Sequence, residues 1–158
     1  MTRIIYQNES GGVSVIIPTG ELSIEEVAAK DVPEGVAYEI VENDAIPSDR
    51  FFRNAWVMGD CCVEHDLGKC KALGHDIRRQ QRAEEFAPLD EVIAKQIPGM
   101  DAVAAEAGRQ LIRDKYAQVQ EQIDAAASPD EIKEALGLAE GNMPLPAEQA
   151  SPAEQPET

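Results

Sequence analysis

Aromatic side chains are scarce, only 4% of the 158 residues, so any core must be built mainly from Ile, Val, Leu and Ala. A thin core of that kind often gains stability from a partner or from self-association. Basic residues are also few: 14 Lys and Arg stand against 30 Asp and Glu, a formal net charge of -16. Binding to a phosphate backbone needs a basic face, so nucleic acid is excluded as the expected partner. No apolar run approaches the roughly 18 residues of a membrane span. The opening Met1-Thr2-Arg3-Ile4-Ile5-Tyr6-Gln7-Asn8-Glu9 reaches polar residues too early for a secretion signal. The expectation is a protein made in the cytoplasm, with no membrane partner. Three clustered cysteines, Cys61, Cys62 and Cys70, do not make a secreted disulfide framework. Only two histidines occur, and the phosphate-loop, dinucleotide and zinc-protease motifs are missing. The chain therefore reads as a non-enzyme with no catalytic residue and no cofactor.

What is present divides in two. Residues 1–63 read as a small α+β docking domain of order β-β-α-β. Arg3 to Gln7 and Val13 to Ile17 are strand-like runs joined by Asn8-Glu9-Ser10-Gly11-Gly12, which suits a hairpin loop. Pro18 ends the second, because it has no N–H to give a ladder. Ser23 followed three residues later by Glu26 is a capping-box pattern, predicting a short helix to about Lys30. Pro33 and Gly35 break it, and Val36 to Val41 predicts a third strand with Val36, Tyr38 and Ile40 on one face. Gly59-Asp60 signals a turn, after which Cys61 to Val63 predicts a last short strand. This half is acidic, with four basic residues against 11 carboxylates in its first 60 residues.

The period turns helical near Leu67, and residues 64–140 read as a helical region. Leu67, Cys70, Leu73, Ile77 and Gln81 fall on one stripe, with Lys69, Arg78, Arg79 and Arg82 expected on a solvated opposite face. Pro88 and Asp90 are expected to restart the chain and Pro98-Gly99 to interrupt it. Asp101 then caps what should be the longest helix, to about Ala127. Ala105, Ile112, Tyr116, Val119, Ile123 and Ala126 make a heptad-like seam, widened by Leu111. Two arrangements stay open for it, an antiparallel helical hairpin or a short self-associating coiled coil. Ser128-Pro129-Asp130-Glu131 opens a last helix ending near Leu136-Gly137. Residues 141–158 are rich in Pro, Ala, Glu and Gln and read as a disordered acidic tail.

Two groups of residues could carry chemistry or contact. Cys62, His65, Cys70 and His75 have the 2-4-4 spacing of a zinc knuckle, but not its order of ligand types. Cys70 already has a place on the apolar helix stripe, where a thiol packs as a small hydrophobe, and no metal site is assigned. Phe51, Phe52, Arg53 and Trp56 bring the only Trp and two of the three Phe together beside an arginine. They either close a small core or form an exposed aromatic–arginine anchor of the kind enriched in binding hot spots. Together with the seam residues Ile112, Tyr116, Val119 and Ile123 they are the candidate interaction residues. Cys61 and Cys62, adjacent in an expected strand, would point to opposite faces, which makes them candidates for an intermolecular disulfide.

The stretch Ile46-Pro47-Ser48-Asp49-Arg50-Phe51-Phe52-Arg53-Asn54-Ala55-Trp56 follows the β-rich start and precedes the Leu67–Arg82 helix pattern. With the Ala-rich helix ending in Ser128-Pro129-Asp130-Glu131-Ile132, it resembles small proteins encoded among the tail genes of tailed bacteriophages and prophages. The shared feature is the R-x-A-W step, here Arg53-Asn54-Ala55-Trp56; the helical part is similar to tail-fibre assembly proteins. The chain departs from that pattern at Cys61, Cys62 and Cys70, where apolar or small residues are expected. The resemblance implies a virion-tail location and other phage tail proteins as partners, with a homo-oligomer as a further option. It identifies no site residue. Three functions follow as expectations: a structural or accessory component of fibre, tip or baseplate; a fibre-assembly chaperone absent from the mature virion; or a small acidic inhibitor of a host enzyme.

Overall fold

The computed structural model describes residues 1–96, 98, 99 and 101–138, and the expected tail lies outside these described residues. The chain is an α+β protein. Its elements are β1 (Thr2–Gln7), β2 (Val13–Ile16), α1 (Ile24–Asp31), β3 (Tyr38–Glu42), β4 (Trp56–Met58), β5 (Val63–His65), α2 (Leu67–Lys95), α3 (Ala102–Ala125) and α4 (Pro129–Ala135).

Strand β1 is central in an antiparallel sheet of order β2-β1-β3. The loop between β1 and β2 closes on Asn8, whose Oδ1 accepts from the Gly12 amide at 3.0 Å and the Ser10 hydroxyl at 2.6 Å. Register sets Ile16, Ile4 and Ile40 side by side, and the next row holds Val15, Ile5 and Glu39. Cross-strand partners share a face and neighbours along a strand alternate, so Ile4 and Ile5 enter different cores. Ile4 packs under α1 with Val27 and Ala28, whereas Ile5 packs with Val13, Ile46, Trp56 and Val63 of the small β4–β5 hairpin. Helix α1 starts with the capping box complete: Ser23 Oγ accepts from the Glu26 amide and Glu26 Oε2 from the Ser23 amide.

The second half is an antiparallel pair, α2 on α3, closed at one end by α4. Cross-helix partners run in opposite directions, His75 to Asp124, Arg78 to Gln120 and Lys115 to Glu85. Of the two arrangements left open by the seam, the chain folds as the hairpin within itself. Ala105, Tyr116, Ile123 and Ala126 are buried on it. A third core joins Cys70, Ile123, Ala126, Ile132 and Leu136 to Phe51, Phe52 and Ala55, so the segment before β4 plugs the helical half.

Four expectations for the elements are corrected. Helix α2 passes through Pro88 and, at 29 residues, is longer than the 24-residue α3. Proline removes one backbone bond and clashes with the carbonyl one turn earlier. On this exposed side of the helix that damage is outweighed, because Phe86 and Leu89 on either side of Pro88 meet α3. The helix stops instead at Gln96, in a left-handed conformation (φ 46°). Arg78 and Arg82 do not lie on a solvated face. Arg78 donates to the Tyr116 carbonyl and to Gln120 Oε1, and Arg82 lies over the Phe86 ring. Leu111 is 71% exposed and does not widen the seam, because one residue along a helix turns the side chain about 100° away. Cys61 and Cys62 are in the β4–β5 turn rather than in a strand.

Candidate functional site

Phe51, Phe52 and Trp56 are not a surface anchor. Phe52 is 2% exposed, Trp56 is fully buried, and the Phe51 and Phe52 rings meet edge to face at 4.7 Å between centroids. Phe51 is fixed by Asp49, which accepts from its amide at 2.9 Å and pairs with Lys133 of α4, whose ammonium lies over the Phe51 ring. With aromatics so few, these rings are needed as the wedge between the two halves. Only Arg53 of that group is exposed. Tyr116 and Ile123 are likewise buried, and Ile112 and Val119 half-buried, in the α2–α3 seam. The expected interaction residues are thus mostly the protein's own core.

The four knuckle-spaced residues do not converge. His65 Nε2 accepts from the Trp56 indole N–H at 3.2 Å, and burial holds its pKa below the usual histidine range, opposed by Asp130. His75 pairs with Asp124 on α3 at 2.8 Å. Cys70 faces the helical core, and burial pushes its thiol up to about 11. Cys61 is exposed and Cys62 half-buried, with sulfurs 3.9 Å apart. The contact with Cys61 is the main reason the Cys62 thiol is raised.

Two concavities stand out among the described residues. A groove of about 550 Å³ between α2, α3 and α4 has Val119, Tyr116 and Leu136 in its wall and Glu84 and Glu134 at its rim. Inside it, Glu85 accepts from Lys115 and from the Tyr116 hydroxyl, each at 2.6 Å, and both bonds hold its carboxyl below the ordinary range. A wider cleft of about 700 Å³ lies between the β1–β2 loop and the start of α2, lined by Asn8, Ser14, Arg53, Asn54, Lys69 and Leu73.

The surface feature that sequence reading missed is the edge of β3. Among the described residues no strand pairs with its outer side. Tyr38 and Ile40 are each 42% exposed, because α1 covers Ile4 and Ile16 and leaves the β3 side of that face uncovered. The alternation of Tyr38 and Ile40 was visible, but not that β3 would be at the sheet's edge. No family model matches the chain, and no curated protein or solved structure proves similar to it.

Proposed function

We propose that the chain is a non-enzymatic structural or accessory component of a bacteriophage tail, associated with fibre, tip or baseplate, and that it works by binding another protein. The resemblance around Arg53-Asn54-Ala55-Trp56 supports the setting. The observation that carries the binding role is the uncovered β3 edge, where two large apolar side chains, Tyr38 and Ile40, sit half in water side by side on one face of a strand whose outer side is unpaired among the described residues. A paired strand there would cover both.

Mass spectrometry of purified particles from the phage or prophage that encodes the chain tests the reading. The expected result is the chain at a fixed ratio to known tail proteins. Its absence from particles, together with a complex with the fibre protein in the infected cell, would make it an assembly chaperone. Absence from both would overturn the tail reading.

A further inference from the structure

Edge strands are ordinarily blunted by charged side chains (lysine above all), proline, bulges or shortness, because an open row of N–H and C=O groups is a template for another chain. β3 holds no lysine, proline or bulge: its register with β1 runs unbroken over five pairs, and its charged residues, Glu39 and Glu42, are both acidic, so they guard the edge against an acidic strand and not against a basic one. The opposite edge differs, since β2 has four residues, runs to Ile17 and Pro18 just beyond, and packs against β4.

The two faces of β3 have different chemistry. Tyr38 and Ile40 lie on the α1 face, next to Tyr6 and Ile4. Glu39 lies on the other face, exposed and with no cation paired to it among the described residues. Glu34 and Asp44 flank the strand, and Glu42 at its end pairs with the Met1 amino group at 2.9 Å. The nearest basic side chain on the strand's neighbour is Arg3, whose guanidinium is turned to Asn43 Oδ1 at 3.3 Å.

We propose that β3 is the docking edge for an extended segment of the partner in which apolar residues alternate with lysine or arginine. This rests on the protein-binding reading above. Residues opposite each other in a sheet share a face, so the segment's apolar side chains would cover Tyr38 and Ile40 while its cations meet Glu39. The field of a chain with net charge -16 draws such a segment in and repels a second copy presenting the same acidic edge.

The test uses the full isotope-labelled chain and a synthetic peptide of alternating valine and lysine. Two control peptides accompany it, one of the same composition with a central proline, the other with glutamate for lysine. Amide shifts and slowed amide exchange should concentrate in residues 38–42 for the first peptide only. Ile40→Lys and Glu39→Lys, both at exposed positions, should weaken binding on the order of tenfold or more by placing like charge at the edge. Circular dichroism and Trp56 fluorescence check that both variants fold. Equal binding of the proline-interrupted peptide would mean attraction by charge alone and would overturn strand addition. Shifts confined to the Glu84–Glu134 groove, or no binding, would also overturn it. A dimer of the chain alone that Ile40→Lys abolishes would give the edge to a second copy instead. None of these outcomes bears on whether the chain is found in particles, which the mass spectrometry decides separately.

Discussion

Gly74 and Gly108 lie within the two long helices, and replacing each by alanine separates helix propensity from packing. Gly74 is buried on α2, where a Cβ would stand 2.7 Å from Ile132 Cγ2 and 3.6 Å from Ile123 Cγ2. Carbon atoms pack best at roughly 3.5–4.0 Å, so the first contact is short by about 1 Å. Ile132 is fully buried and β-branched, which leaves it little rotamer freedom. It also belongs to α4, tied down by the Ser128 cap and by the Lys133–Asp49 pair. Relief therefore means moving α4, an overpacking cost of about 1–3 kcal/mol. The helix itself gains about 1 kcal/mol from alanine in place of glycine. Gly74→Ala should thus lose up to about 2 kcal/mol in stability. At Gly108 the nearest atom is Leu89 Cδ1 at 3.1 Å, the free end of a flexible side chain that can yield by a few tenths of an ångström. Gly108→Ala should stabilise by about 0.5–1 kcal/mol. Urea unfolding followed by far-UV circular dichroism measures both, and Ile132→Ala, which removes the clashing methyl, completes a double-mutant cycle with Gly74→Ala. Equal stabilisation by both alanines, or strict additivity in the cycle, would refute the packing of α4 on Gly74.

Pro88→Ala should stabilise the chain by about 1–3 kcal/mol in the same assay, since α2 continues through this position; destabilisation would mean that the proline ends the helix. His65 has a folded pKa below its unfolded value, so the unfolded chain binds the extra proton. Stability should be full above the ordinary histidine range, about pH 6.5, and fall as the pH drops through it. His65→Gln, which keeps an acceptor for the Trp56 indole, should flatten that part of the urea-midpoint profile, and an unchanged profile would contradict the assignment. Under oxidant, purified chain should form a dimer on non-reducing gels through the exposed Cys61, abolished by Cys61→Ser, while Cys70 reacts with thiol reagents only after unfolding. Labelling of Cys70 as fast as Cys61 in the folded chain would count against its burial.

Features set by a few adjacent residues could be read from the sequence. Ser23 with Glu26, Asp101 before α3 and Ser128-Pro129 before α4 are local signals, and each sits at the helix start it marks. The first three strands were legible for the same reason, as runs bounded by turn residues. The failures share the opposite cause, tertiary packing. Pro88 looks like a break until α3 holds both flanks of it, and Arg78 and Arg82 look like surface until Tyr116, Gln120 and Phe86 lie beside them. β4 has only three residues and announces itself by pairing with β5, which also moves the cysteines into the turn between them. The aromatic segment could be read two ways because residue type alone does not say whether Phe51 and Phe52 find a core; here α2, α3 and α4 provide one. For the candidate surface, the acidic charge and the Tyr38–Ile40 alternation were legible, but the open edge was not, since strand order depends on long-range pairing.

The most direct test of protein binding in a phage tail is co-sedimentation. Labelled wild-type chain and labelled Ile40→Lys chain are added to tails assembled without the endogenous protein, and the bound fraction of each is measured after sedimentation. Wild-type chain should pellet with the tails at saturable, fixed stoichiometry while Ile40→Lys stays in the supernatant. Wild-type chain remaining wholly in the supernatant, with folded protein and intact tails, would contradict the account.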